Sequence, residues 1–323
     1  MTLRALALAA VAGVSALACG SRAPPLPEAR VHVAPGLPAG VLAELAARAG
    51  AARVVAAGSF ADAELVWALD PAAALAPEVG AEPGSAPDAA GVPPRWKDGR
   101  GRFLPLGARA HVLLRAPRAA LQLEPANLRD LTDARLRGRV ALVPLGRGGG
   151  PALVAALVLA YGEASAGRFL RLLARNAPVL VEREDEVRAR LASGAADVGL
   201  ATSLEGAAGA ASAAALEVVY PDQGGSGAVV LPTAIALRPG AGEGARRLAE
   251  WLATPDAERL VVARVPGLLP LRPEVPVPVG VEPASNLVAL PLSWDELAVQ
   301  SAREAARLER WPEGFTDGAR PPR

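Results

Sequence analysis

The sequence predicts an α/β protein, because short apolar runs of strand length alternate with helical patterns along most of its 323 residues. Hydrophobic residues make up 51% of the chain but aromatic residues only 3%, so the core is expected to consist of Ala, Leu and Val. No internal repeat is visible, which argues against a solenoid. A chain of this length is long enough for two domains or lobes.

The amino-terminal half begins with the stretch "RVHVAPGLPAGVLAELAARAG" (30–50), which indicates a strand, a turn and an amphipathic helix. Two more strands are predicted at 52–59 and 63–69, and the second leads into a short helix after Asp70. Residues 76–102 are rich in Pro, Gly and Ala and are expected to form a loop. The stretch "ARAHVLLRAP" (108–117) predicts another strand.

The second half continues the alternation. Residues 125–144 predict a short helix followed by a strand. The pattern continues with two helices (152–162 and 166–176), a helix–turn–strand unit (184–203) and one long strand or strand pair (228–240). Two further helices (242–264) and a carboxyl-terminal helix (292–311) complete it.

The first residues predict export. Arg4 precedes an apolar segment (5–14) that is too short to span a bilayer, and "SALAC" ends in Cys19, the only cysteine of the chain. The pattern resembles a bacterial lipoprotein signal, in which the cysteine becomes the lipid-carrying amino terminus. We therefore expect a signal peptide over 1–18, a Pro-rich tether over 19–30 and a lipid anchor on Cys19. An ordinary cleaved signal peptide is the alternative.

The stretch "PLGRGGGPAL" (144–153) places four glycines between a predicted strand and a predicted helix. Glycine lets the backbone approach a ligand closely, and a helix N-terminus presents free N–H groups and positive potential. Pro151 suits the first turn of the helix, where a missing N–H costs nothing. The stretch therefore predicts a cradle for an anion or another ligand, with a glycine-rich turn without a ligand as the alternative.

The known nucleotide-binding patterns do not fit this stretch. The dinucleotide fingerprint requires a third glycine where the chain has Pro151, and a phosphate loop requires Gly-Lys-Ser/Thr, whereas the only lysine is Lys97. The G-x-S-x-G and H-E-x-x-H motifs are absent, so we do not expect an enzyme. The net charge of +1 gives no reason to expect a nucleic-acid partner, and no cofactor is expected.

Five stretches occur in an order that is typical of one family. They are "ELVWALDPAAALA", "RWKDGRGRFLPLGARAHVLLRAP", "LRDLTDARLRGRVALVP", "LASGAADVGLATS" and "AVVLPTAIALRPGAGEGARRLAEWLATPDAERL". Their order over roughly residues 31–310 resembles the extracellular solute-binding proteins of ABC importers, in particular the ferric-binding branch. The resemblance implies a two-lobed, type II periplasmic-binding-protein-like fold with two crossing hinge strands and a helical carboxyl terminus.

The resemblance also implies an organisation and a role. Lobe 1 would comprise residues 31–110 and about 235–280, lobe 2 residues 111–234, and a helical segment over 281–323 would pack on the lobes. A small molecule or anion would bind between the lobes and pass to an ABC permease in the membrane. We expect a monomer that is anchored to the membrane and faces the periplasm or the cell exterior.

The chain departs from the family pattern where ferric-binding members hold iron. They use two adjacent tyrosines after the strand that returns to the cleft, whereas this chain has Leu204 and Glu205 there. His32 and His111 lie in strand-like runs, and we expect structural roles for both. No ferric site of the familiar form and no metal site are therefore expected. The first lobe is also short, because only "GSFAD" separates its second and third strands.

The polar groups left in the expected cleft suit an oxyanion such as a phosphonate, a sulfonate or a carboxylate. Each has a simpler interpretation as well: loop solvation in general, a helix cap for Asp70, and a flexible turn for "GGSG" (224–227). The candidate ligand-binding residues are Ser59, Asp70, Gly146, Arg147, Gly148, Gly149, Gly150, Thr202, Ser203, Glu205 and Ser226.

The sequence thus predicts a substrate-binding lipoprotein of an ABC transporter that takes a small anionic ligand or a metal–anion complex. The missing tyrosines and the short first lobe leave one alternative open. In that alternative the chain is a degenerate relative with a sensory or interaction role and no part in transport.

Overall fold

The computed structural model describes residues 25–116, 123–210 and 216–316, which form one mixed β-sheet covered by helices. The predicted signal peptide and Cys19 lie outside the described residues. The strands are β1 (Glu28–Val33), β2 (Arg53–Ala56), β3 (Leu65–Ala68), β4 (Leu104–Arg115), β5 (Val140–Leu142), β6 (Val179–Leu180), β7 (Val198–Thr202), β8 (Glu217–Val219) and β9 (Val230–Leu237).

The sheet has two halves that share strand β4. Its order is β2-β1-β3-β9-β4-β7-β5-β6, and β8 pairs with the end of β4. Strand β4 pairs with β9 up to Ala110 and with β7 from His111 onward, so it passes from one half to the other between these two residues. Each half keeps parallel pairs on its outer side, β1 with β2 and β3, and β5 with β6 and β7. This arrangement confirms the predicted two-lobed α/β fold class.

Four of the helices have one clearly apolar face, which suits them to cover the sheet. Helix α3 (Gly150–Tyr161) is apolar all round and is buried from Pro151 to Val158, since it packs against both α4 (Glu163–Arg175) and α9 (Trp294–Leu308). Within the described part of the chain, no helix is both long and apolar enough to cross a bilayer. The helices are α1 (Ala39–Arg48), α2 (Pro71–Ala74), α3 (Gly150–Tyr161), α4 (Glu163–Arg175), α5 (Glu184–Ser193), α6 (Ser203–Ala210), α7 (Glu243–Leu252), α8 (Pro255–Arg264), α9 (Trp294–Leu308) and α10 (Glu313–Thr316).

Helix α9 joins the two halves, because it packs on α2, which follows β3, and on α3, which follows β5. The Ser293 hydroxyl caps its first turn by accepting a hydrogen bond from the Glu296 amide. The last turn of α9 lies so close to Gly146 that a Cβ atom there would be 2.4 Å from the Leu308 carbonyl oxygen. Packing of the carboxyl-terminal helix therefore accounts for glycine at position 146.

The boundaries of several elements differ from the predicted ones. Strand β1 begins inside the predicted tether because Glu28 already pairs with Arg53 of β2. Strand β4 begins at Leu104, since its first residues pair with β9 before the predicted start. Residues 57–64 connect β2 to β3 without a helix, as the sequence predicts, and Arg238 holds this connection by donating to its carbonyl groups. The limits of the two lobes stay a prediction.

Candidate functional site

A cleft of about 410 Å³ lies between the two halves of the sheet. Its walls come from residues just after β1 and β3 on one side, and from the ends of β5, β6 and β7 with the first turns of α3, α5 and α6 on the other. Ligands of open α/β sheets bind outside the carboxyl ends of the strands, which is the position of this cleft. Its volume is in the range of sites for small organic ligands.

The glycine-rich stretch reaches the cleft at Gly148, Gly149 and Gly150. The Gly150 amide donates to the Arg147 carbonyl oxygen at 3.0 Å and so closes a turn. The Gly148 and Gly149 amides have no hydrogen-bond acceptor among the described residues. Two free donors therefore lie at the N-terminus of α3, where the helix dipole favours negative charge.

The guanidinium group of Arg109 lies directly against this helix N-terminus. A Cβ atom on Gly149 would be 2.6 Å from Arg109 Nη2, so only glycine leaves room for the arginine. Arg109 is 1% exposed; its Nε donates to the Leu69 carbonyl oxygen at 2.9 Å and its Nη2 to Asp70 Oδ2 at 3.0 Å. Its Nη1 has no hydrogen-bond partner in the described part of the chain, so it adds a third free donor beside the two amides.

His111 lies two residues further along β4, on the same face of the strand as Arg109. It lines the cleft, it is 5% exposed, and its Nε2 has no hydrogen-bond partner within residues 25–116, 123–210 and 216–316. Burial lowers the pKa of His111 well below 6.5, and the nearby charge of Arg109 lowers it further. The imidazole is therefore neutral at neutral pH.

The opposite wall of the cleft carries carboxylates. Thr202 Oγ1 donates to Glu184 Oε2 at 2.8 Å, and Glu184 has no cationic partner within 4.0 Å among the residues that the structure describes. Glu205 accepts a hydrogen bond from Arg188 Nε at 2.9 Å. Burial nevertheless raises the pKa of Glu205 above its ordinary value, and Glu184 and Asp185 raise it further, although Arg188 acts in the opposite direction. This wall is acidic and already holds one unpaired negative charge.

Arg147 lies at the exposed mouth of the cleft rather than inside it. Its side chain is 60% exposed and its Nη1 lies 2.6 Å from Glu182 Oε2. The arginine that sequence reasoning selected is thus engaged by a neighbouring acid. The arginine that lies at the floor, Arg109, was not among the candidates.

Several predicted ligand-binding residues are not among those that line the cleft. Asp70 caps α2 by accepting from the Ala73 amide and pairs with Arg109, so its carboxylate is fully used. The Ser203 hydroxyl donates to the Gly267 carbonyl oxygen and accepts from the Ala110 amide. Gly146 packs against α9, as described above, Ser59 pairs with Asp62 at the surface, and Ser226 contacts the Tyr161 hydroxyl. The cleft does include Arg147, Gly148, Gly149, Gly150, Thr202 and Glu205.

The two histidines, for which we expected the same structural role, have different surroundings. His32 packs edge-on against Phe60, with ring centroids 5.1 Å apart, whereas His111 lines the cleft and its buried Nε2 has no hydrogen-bond partner among the described residues. No three His, Cys, Asp or Glu side chains of the described residues lie together as a metal site would require. Leu204 and Glu205, the two residues at which the family resemblance implies tyrosines, line the cleft.

The fold and the cleft define the class of the protein as a two-lobed α/β binding protein. Residues 82–297 match the sequence profile of the family described as bacterial extracellular solute-binding protein. This match covers more than half of the chain, and the chain therefore belongs to that family. No curated protein sequence matches it.

Solved structures of similar fold include three ferric-binding proteins. The Bordetella ferric binding protein is 21% identical, with a TM-score of 0.70 over 90% of this chain and 100% of that chain. The protein from Campylobacter jejuni is 14% identical, with a TM-score of 0.73 over 87% of this chain and 98% of its own. Apo ferric ion-binding protein A from Pasteurella haemolytica is 16% identical, with a TM-score of 0.70 over 91% and 99%. At these identities the similarity establishes the fold.

Proposed function

We propose that this protein is the lipid-anchored substrate-binding component of an ABC importer and that it binds a small ligand through an anionic group of that ligand. The ligand enters the cleft between the lobes, and the protein delivers it to a membrane permease. The observation that carries the proposal is a group of three donors at the floor of the cleft that have no acceptor within the described residues: the Gly148 and Gly149 amides and Arg109 Nη1.

The donors suit an oxyanion for two physical reasons. Preorganised N–H groups at a helix N-terminus stabilise negative charge, and a guanidinium group offers charge-assisted hydrogen bonds to the same oxygen atoms. The leucines of the walls, Leu142, Leu145, Leu153 and Leu200, would contact the carbon skeleton of the ligand. Membership of the family supports solute binding outside the cytoplasm, and Cys19 supports the anchor.

Gly148 is the position at which the anion site can be tested. Its φ is +54° and a Cβ atom there meets nothing within 4 Å, so Asp and Asn, which tolerate left-handed backbone, fit without a collision. Gly149 is unsuitable because any side chain would displace Arg109. We expect Gly148→Asp to weaken binding of inorganic phosphate, sulfate and small sulfonates about tenfold or more, because its carboxylate repels the anion.

The control is Gly148→Asn, which has the same shape without the charge and should retain affinity. Binding is measured by calorimetry and by the rise in melting temperature that a ligand of the folded state causes. Equal anion affinity in Gly148→Asp and in the unmodified protein would contradict the anion site. No rise in melting temperature with any anion would favour the alternative, a degenerate sensory or interaction lipoprotein.

A further inference from the structure

One side of the cleft carries hydrogen-bond acceptors, in contrast to the donors at the N-terminus of α3. Glu184, Thr202 and His111 form a continuous row, because Thr202 donates to Glu184 and lies directly opposite His111 in the β4–β7 ladder. Side chains of such opposite residues lie on the same face of a sheet, about 5 Å apart at Cβ. The row thus connects the unpaired carboxylate at the wall to the unpartnered imidazole at the floor.

The charges of the cleft indicate what this row can bind. The wall arginines have acidic partners, Arg147 with Glu182 and Arg183 with Asp185. Among the described residues, Glu184 has a hydroxyl group as its only side-chain hydrogen-bond donor. An anionic ligand without a positive group would bring its charge into a cleft that already contains an unpaired carboxylate, and like charges at short distance repel each other.

The imidazole of His111 supplies the second and independent observation. A buried polar atom normally has a hydrogen-bond partner, and leaving it without one costs free energy. The buried Nε2 of His111 lacks such a partner within the described part of the chain, and the His111 side chain lines the cleft. A neutral imidazole has one nitrogen that accepts a hydrogen bond, so a ligand N–H group can satisfy it.

We propose that the ligand is a small zwitterion, whose anionic group contacts the amides at the N-terminus of α3 and whose protonated amine donates hydrogen bonds to Glu184 and His111. The apolar leucines lie between these two polar ends and contact the carbon chain that links them. The volume of about 410 Å³ accommodates an organic molecule of this kind rather than a bare ion. This inference rests on the proposed function, because it adds a cationic end to the same ligand.

The test compares probes that differ only by an amine. The pairs are β-alanine against propionate, taurine against ethanesulfonate, and phosphoethanolamine against ethyl phosphate. We expect the zwitterion of at least one pair to bind about tenfold to a hundredfold more tightly than its matched anion, because hydrogen bonds to charged groups contribute that much. Affinities are measured by calorimetry on the purified protein, and melting temperatures provide a second readout.

Two variants test whether the tighter binding of the zwitterion comes from the row of Glu184, Thr202 and His111. Glu184→Gln keeps a partner for Thr202 but removes the charge, so it should abolish the preference for the zwitterion and leave the matched anion bound as tightly or more tightly. Glu186→Gln is the control, since Glu186 lies in the same first turn of α5 but does not line the cleft. It should leave the preference unchanged.

The outcomes separate this inference from the proposed function. If anions bind, Gly148→Asp weakens them and the amine adds no affinity, then the zwitterion is wrong and the anion site stands. If Glu184→Gln lowers zwitterion and anion affinity equally, the assignment of the amine to this row is wrong. If no probe binds, both proposals are contradicted.

Discussion

Two buried polar clusters of this protein differ in whether their hydrogen bonds are complete. Near α8, Arg272 pairs with Glu258 and also donates to the Ala90 and Ala253 carbonyl oxygens, while the second carboxylate oxygen of Glu258 accepts from the Leu271 amide. At the floor of the cleft, Arg109 Nη1 and His111 Nε2 are left without partners among the described residues.

The difference shows how to tell a structural polar cluster from a binding one. Both clusters contain an arginine that is 1% exposed and an acidic partner. The Arg272 cluster joins α8 to a long loop and uses its polar atoms within the protein, so it stabilises the fold without need of a ligand. In the cleft cluster, donors and an acceptor have no hydrogen-bond partner among the described residues, and a ligand would supply those partners.

The largest expected effect is on the complete cluster. Arg272→Leu leaves Glu258 as a buried carboxylate without its cation, so we expect the free energy of unfolding to fall by about 3–5 kcal/mol. Urea denaturation measures this loss. The double variant Arg272→Leu, Glu258→Leu removes both charges and should recover most of it. A loss below about 1 kcal/mol for the single variant would show that the cluster does not differ from a surface pair.

The α/β class was predicted correctly because it depends on local periodicity, whereas the two-lobed architecture was expected from the family resemblance. Three features depend only on residues that are close in sequence. They are the alternation of strands and helices, the glycine-rich junction before α3 and the short connection without a helix between β2 and β3. Boundaries were less accurate where tertiary pairing extends a strand, as at Glu28 and Leu104. Propensity and pattern do not contain that long-range information.

The floor of the cleft could not be read from the sequence in the same way. Every residue from Leu104 to Leu114 is buried, so the stretch has no polar–apolar alternation that would tell which residues face a ligand. Arg109 and His111 share one face of β4, and the single available signal was two polar residues spaced by two within an apolar strand. Conversely, Ser203 looked like a cleft hydroxyl but bonds to Gly267, which is distant in sequence.

A smaller effect, of opposite sign, is expected for the incomplete cluster. His111→Leu replaces an unpartnered imidazole by an apolar side chain of similar volume, so the ligand-free protein should become more stable by about 1 kcal/mol. The same variant should lose the tighter binding of the zwitterionic probes. Urea denaturation without ligand and calorimetry with taurine or β-alanine measure the two effects. A clear loss of ligand-free stability would place His111 with the structural clusters.

The last effect appears only as the pH becomes acidic, and it isolates the same imidazole. Because burial lowers the pKa of His111 in the folded protein below its ordinary value of 6.5, the unfolded chain binds the proton first as pH falls. The ligand-free protein should therefore lose stability as pH decreases below about 6.5, by at most about 1.4 kcal/mol per pH unit for this one group. Above that pH the imidazole is neutral in both states and contributes no slope.

His111→Leu removes this contribution, so the difference between the two denaturation series over pH 7 to about 5.5 reports His111 alone, whatever the carboxylates do. If the stability of the two proteins changed with pH in the same way, the fold would not hold the imidazole in its neutral form. The two clusters would then differ only in the geometry of their hydrogen bonds.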